Sequence, residues 1–269
     1  MIEVIFLGIS SALPMRDSAN AAYLVRAGNE CILIDCGPAI LQQLDAVGIS
    51  PAEITHVFIT HRHADHCLGY PMLMLWYELQ LGESKAPPTL LATQFTFDAL
   101  DTVMATVLGR IAGVTESAPR IVLPQDAPGQ AQIHPNILLR TLPMAHSPFA
   151  PSIGIRIETR GALGDHAIAF TGDTGPTENV VHLARDADLL VHEATLSVTL
   201  TPDQPDGFAG HSTAQRAGMN ARAANVRKLA LTHIDARDAQ QRQILLEEAA
   251  REFSGHVFIP VSGLSVVVE

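Results

Sequence analysis

Thr60-His61-Arg62-His63-Ala64-Asp65-His66 sets three histidines and an aspartate within six residues, directly after the apolar stretch His56–Thr60. Borderline-soft zinc favours neutral imidazole, with carboxylate as a further ligand. In a loop leaving a strand, His61 and His63 can point to one side and Asp65 with His66 to the other. One short loop can thus feed two adjacent metals. A helical site such as HExxH spaces its histidines i, i+4 instead. Two metals need more ligands, and the chain offers them at similar places. His146 follows the strand-like Ile137–Leu142, Asp173 follows Ala167–Thr171 within Thr171-Gly172-Asp173-Thr174, and His233 follows Lys228–Thr232. Each alone is an ordinary strand-end residue; their joint appearance in this order carries the weight.

Working outward, β-branched apolar segments recur and read as strands: Glu3–Leu7, Ala22–Val25, Cys31–Asp35, His56–Thr60, Thr89–Ala92, Ile137–Leu142, Ile153–Ile157, Ala167–Thr171, Leu189–His192, Lys228–Thr232, His256–Val261 and Leu264–Val268. Helix-like stretches lie between them: Pro38–Val47, Tyr70–Leu81, Thr96–Leu108, Thr177–Ala184, Thr213–Ala224 (with Ser212 as its expected N-cap) and Ala236–Phe253. Gly82–Pro88 and Ala118–Asn136, rich in Pro, Gly and Gln, read as surface loops. The order predicts face-to-face sheets with helices outside, an α/β layered arrangement in one domain over residues 1–269.

Bulk properties narrow the function. The net charge is −11, from 17 Lys+Arg against 28 Asp+Glu. A protein that grips many phosphates usually shows a basic face, so nucleic acid is not the expected partner. No apolar run reaches a membrane span, and Met1–Gly8 reads as a strand, not a leader; the expected location is cytoplasmic. Cys31, Cys36 and Cys67 are odd in number and irregularly spaced, which argues against a disulfide framework. Cys67 adjoins the histidine cluster but reads first as a small buried side chain.

The His61–His66 cluster, His146, the TGDT around Asp173 and the LTHI around His233 resemble the metallo-β-lactamase superfamily. Within it the chain is similar to the ribonuclease Z branch and its arylsulfatase-like and phosphodiesterase-like relatives. Further motifs agree: FLGISSALPMRDSAN near the start, Pro151–Glu158, Val191-His192-Glu193-Ala194-Thr195, and Gly210-His211-Ser212-Thr213-Ala214. The resemblance implies a four-layer αββα sandwich and two zinc ions per chain, with Mn2+ or Fe2+ as alternatives. It implies one metal on His61, His63 and His146, and a second on Asp65, His66 and His233. Asp173 and a hydroxide would bridge them. One departure matters. tRNA-processing members carry a long arm between their third-motif histidine and the bridging aspartate, whereas His146 and Asp173 are 27 positions apart.

The implied catalytic residues are Asp65, His211 and Glu193. Asp65 would orient the nucleophile and take its proton. His211 would stabilise charge or protonate the leaving group, and Glu193 would fix its tautomer. The expected activity is hydrolysis of a small phosphodiester, or of a related ester such as an aryl sulfate, by metal-bound hydroxide. Alternatives are lactone, thioester or β-lactam hydrolysis on the same metals, tRNA 3′-end cleavage as a minority reading, and a non-enzymatic metal-binding interaction module. Flavodiiron-type oxidoreductases are disfavoured, because they place a glutamate where this chain has His63. Ser18 and Asn20 are candidates for the cleft mouth or for turn formation. The apolar Tyr70–Leu81 helix is read as core, pocket lining or a homodimer contact.

Overall fold

The computed structural model describes residues 1–80, 86–109 and 118–268. In β1 (Ile2–Gly8) the strand alternation sends Val4 and Phe6 into one apolar cluster and Ile5 and Leu7 into another. β2 (Ala22–Ala27) repeats this with Tyr23 and Val25 against Ala22 and Leu24. β3 (Glu30–Ile34) does so with Ile32 and Ile34 against Cys31 and Leu33. Both faces are covered, which is why these strands read as near-continuous apolar runs.

Two seven-stranded sheets result. The first has the order β14 (Ser265–Val268), β1, β2, β3, β4 (His56–Phe58), β5 (Thr89–Thr93), β6 (Arg120–Leu123). The second has the order β13 (His256–Phe258), β12 (Lys228–Thr232), β11 (Leu189–Glu193), β10 (His166–Phe170), β9 (Ala150–Thr159), β8 (Ile137–Ser147), β7 (Gly129–His134). Each sheet changes from antiparallel to parallel partway, at β3 in the first and at β10 in the second. Aromatic rings join the sheets: Phe6 meets Phe258 edge-on at 6.1 Å, and Tyr23 meets Phe170 at 5.2 Å. Phe6 is fully buried, and truncating such a ring to Ala costs roughly 3–5 kcal/mol.

Helices α1 (Ile40–Ala46), α3 (Tyr70–Gln80) and α4 (Gln94–Val107) cover the outer face of the first sheet, burying Ile40, Leu73, Tyr77 and Phe97 there. Between α1 and α3 lies the single turn α2 (Ala64–Cys67). Helices α5 (Glu178–Ala184), α6 (Ala214–Ala223) and α7 (Ala239–Glu252) bury Leu183, Ala217 and Leu245 in the other cluster. α6 and α7 approach so closely that a Cβ on Gly218 would collide with the Ala249 carbonyl. The architecture is therefore α/β, in four layers ordered helix, sheet, sheet, helix. Among the described residues, no helix is long and apolar enough to cross a membrane.

Three expectations are corrected. The stretch 118–136 is not all loop: β6 pairs with β5, and β7 with β8. These are edge strands with one exposed face: β7 is largely polar, and the apolar run of β6, Ile121 to Leu123, is only three residues long. The N-cap of α6 is Thr213, whose hydroxyl accepts from Arg216 N–H at 3.1 Å; Ser212 Oγ instead donates to the Thr174 carbonyl at 2.6 Å. Asp65 and His66 lie in α2, a turn too short to show helical periodicity, and not in an open loop. Residues 81–85 of the expected loop and helix end lie outside the described residues.

Candidate metal centre

The site is built where parallel strands end. β4 leads into His61, His63, Asp65 and His66. β10 leads into Asp173, β11 into Thr195, and β12 into His233. His146 comes from the end of β8. All seven expected ligands converge. His61, His63, His146 and Asp173 form one group, and Asp65, His66 and His233 another, with the ligand atoms of each group within 4.8 Å of one another. In the first group, His63 Nδ1 lies 2.9 Å from His61 Nε2 and 3.1 Å from His146 Nε2. In the second, His66 Nε2 lies 3.3 Å from His233 Nε2. The two oxygens of Asp173 divide between the groups. Oδ1 is 3.4 and 3.3 Å from His66 and His233, while Oδ2 is 3.7 and 3.9 Å from His61 and His146.

The hydrogen bonds behind the ligands fix which nitrogen faces the centre. His66 Nδ1–H donates to Asp35 Oδ2 at 2.8 Å, and His146 Nδ1–H to the Gly210 carbonyl at 3.0 Å. Thr60 Oγ1 gives its proton to Asp35, so it accepts from His61 Nδ1–H at 3.0 Å. Thr195 Oγ1 gives its proton to Glu193 and accepts from His233 Nδ1–H at 2.9 Å. Four histidines thus present a bare Nε2, and His63 presents Nδ1. Such partners behind a ligand hold ring orientation and tautomer. Facing lone pairs, together with a buried Asp173 Oδ1 that has no hydrogen-bond partner, fit cations between them. The donor set, imidazole with carboxylate, suits borderline divalent ions.

Electrostatics agree for His61, His63 and His146, and run the other way for His66. Burial holds His61, His63 and His146 below the usual imidazole range, hence neutral and free to ligate. Burial opposes charge on His66 as well, but the Asp173 and Asp35 carboxylates outweigh it and push His66 up. Asp65 and Asp173 sit below the ordinary carboxylate range. Burial would raise both, and the neighbouring His233 and His66 overcome it.

His211 lies beside this cluster, its ring 5.1 Å from His146 and 5.5 Å from His233. Its Nδ1–H donates to Glu193 Oε1 at 3.0 Å. Burial disfavours its charge, but the Glu193 carboxylate prevails and pushes it up to about 9. Glu193 is itself buried, and it accepts from the backbone of Thr174, Thr195 and Ser212. It therefore pins three site loops besides orienting His211.

Two functional positions escaped sequence reasoning. Asp35 closes an apolar strand with no neighbouring cluster to mark it, and Thr195 sat in a quoted motif without a role. Asp35 and His233 both adopt positive φ, +59° and +50°, and such backbone is uncommon outside glycine. Ser18 and Asn20 serve the turn before β2. Ser18 Oγ accepts from Ile9 N–H, and Asn20 donates to the Ser11 and Ala12 carbonyls. Cys67 is buried, its thiol pushed up to about 12 by that burial, and it donates to the Arg62 carbonyl. The interval from His146 to Asp173 is filled by β9, a short turn at Gly161–Leu163 and β10, so it carries no inserted arm.

These sheets and this cluster define a protein of the metallo-β-lactamase fold, and solved structures bear this out. YhfI from Bacillus subtilis aligns with TM-score 0.78 at 23% identity, covering 98% of each chain. The short form of human tRNase Z aligns at 0.77 and 24%, covering 99% of each. Zn2+-bound PqqB from Methylobacterium extorquens aligns at 0.72 and 15%, covering 99% of this chain and 100% of that one. A profile of the family described as Anti-Pycsar protein Apyc1 matches residues 2–204. The ribonuclease Z of Mycobacterium bovis is 33% identical over 270 residues, 96% of this chain and 95% of that protein. The chain belongs to the Anti-Pycsar protein Apyc1 family, among the metallo-β-lactamase-fold relatives of ribonuclease Z.

Proposed function

We propose that this chain is a dinuclear zinc hydrolase that cleaves small phosphodiesters, or related esters such as aryl sulfates. The observation that carries the reading is the His211–Glu193 pair, a proton donor held in one tautomer beside two groups of side chains that could each hold a metal ion. Two divalent ions on that set, when bound, lower the pKa of water to about 7 and polarise the ester oxygen. Asp65 turns Oδ2 toward His66 and His233, which leaves Oδ1 to orient water and accept its proton. Glu193 keeps the His211 Nδ1 proton engaged, so Nε2–H is the one given to the leaving oxygen. General acid help of this kind is worth about 10²–10⁴-fold in rate. Relatives in the same fold named ribonuclease Z, yeast PDE1 and a diphosphatase of the PhnP family support phosphate-ester chemistry.

A second reading, tRNA 3′-end cleavage, is favoured by the name of the mycobacterial relatives. One feature speaks against it, the net charge of −11. The missing arm does not discriminate, because the M. bovis protein is itself nearly covered by the alignment and leaves little room for an arm either. The test is a panel assayed with zinc-loaded protein: bis(p-nitrophenyl) phosphate, p-nitrophenyl sulfate, lactones and precursor tRNA. Turnover of the phosphodiester is expected. Preferential lactone turnover, or efficient tRNA cleavage that weakens as salt rises, would refute the proposal.

A further inference from the structure

The chain's nine Phe, three Tyr and one Trp all lie among the described residues, and two of them are exposed. These are Phe149, 77% exposed, and Phe208, 48% exposed. Phe149 stands three positions after His146 on the β8–β9 turn, and Phe208 three positions before His211. The two segments touch. The Gly210 carbonyl accepts from His146, and a Cβ on Gly210 would come within 2.9 Å of the His146 backbone. Single exposed apolar side chains are ordinary on a protein surface. Here both exposed rings fall beside a site histidine. Residues 143–150 and 202–211 contain no Lys or Arg, so apart from the site histidines this side offers a ring-shaped partner stacking and no cationic side chain.

We infer that Phe149 and Phe208 form a stacking platform for a planar aromatic part of the substrate, a nucleobase or a simple aryl ring, beside the bond that is cut. The inference rests on the phosphodiesterase reading above. The platform binds and does not touch the reacting atoms, so its loss raises KM and leaves kcat in place. Both side chains are exposed, so replacing them leaves the core intact.

The test uses zinc-loaded wild type, Phe149→Ala, Phe208→Ala, the double variant and the two Phe→Tyr variants. Hydrolysis of bis(p-nitrophenyl) phosphate is followed while phenyl phosphate, a nucleoside 5′-monophosphate and methyl phosphate compete. Each alanine variant is expected to weaken the two aromatic competitors roughly five-fold or more, the scale of one base–aromatic stack. Methyl phosphate should be unaffected, and tyrosine should restore the wild-type values. The aromatic competitor that loses more distinguishes nucleobase from simple aryl. An unchanged ratio of phenyl to methyl phosphate in the double variant overturns the platform alone, as does equal weakening of all three competitors. Absence of phosphodiester turnover by the wild type overturns the parent reading and the platform with it.

Discussion

Replacing Asp35 with asparagine should weaken ion binding at the second metal position while sparing the fold. Asp35 Oδ1 accepts from Thr60 N–H at 2.8 Å, and an amide oxygen can keep that bond. Oδ2 accepts from His66 Nδ1–H at 2.8 Å, and there an –NH2 group confronts a donor with a donor. His66 escapes the clash by moving its proton to Nε2, the atom that faces the centre. Loss of a partner behind a ligand costs about 10–100-fold in metal affinity, or about 1.4–2.8 kcal/mol at about 1.4 kcal/mol per tenfold. The backbone is not the cause, since asparagine tolerates the positive φ at this position. Alanine is the contrast. It also strands Thr60 N–H, which costs roughly 1–3 kcal/mol of stability, and it strains the left-handed backbone. Zinc affinity by chelator competition, with metal content and thermal melting on the same samples, tests this. An asparagine variant that holds both ions as tightly as wild type would refute the reasoning.

His211→Ala should retain two metals and lower kcat roughly 100-fold or more, with the larger deficit on poor leaving groups; metal content and turnover from one sample check it, and loss of an ion would make His211 a ligand. Chelation should lower the melting temperature and zinc should restore it, since free ion at about 100 times its Kd contributes about 2.7 kcal/mol; an unchanged melt would sink the ligand assignment. We propose a homodimer through α3, whose Tyr70, Leu73, Met74 and Tyr77 are core but whose Met72 and Leu79 are exposed at 47% and 70%. Light scattering should give twice 28.8 kDa, and Met72→Glu with Leu79→Glu should halve it without lowering the melting temperature. A wild-type monomer at micromolar concentration would end that proposal.

The doubly covered strands β1, β2 and β3 were legible because burial on both faces leaves an uninterrupted apolar run. β6 and β7 were not, since an edge strand draws its order from a neighbour and keeps one face in water. The expected ligands stood out because they cluster or end apolar runs. Their supports were hidden for a physical reason. Gly210 lies 64 positions from His146 and contributes only a carbonyl, and Thr195 lies 38 positions from His233. A bond between a backbone atom and a distant ring leaves no local pattern in the sequence. Asp35 had a faint mark, a carboxylate at the end of a run too apolar to hold one without a partner.

The division of ligands between sheets has a consequence for how the molecule is made. His66 and His233 are separated by 167 positions and follow strands of opposite sheets, β4 and β12. An ion shared by them is a reversible rivet, and closing so long a span removes more freedom from the unfolded chain than a short loop would. During synthesis, His61 to His66 emerge early and His233 late, so no nascent chain holds the full ligand set until β12 has been made. Capture of an ion on that set would therefore be a late event, and a chain starved of metal would reach its layered shape with one edge unfastened.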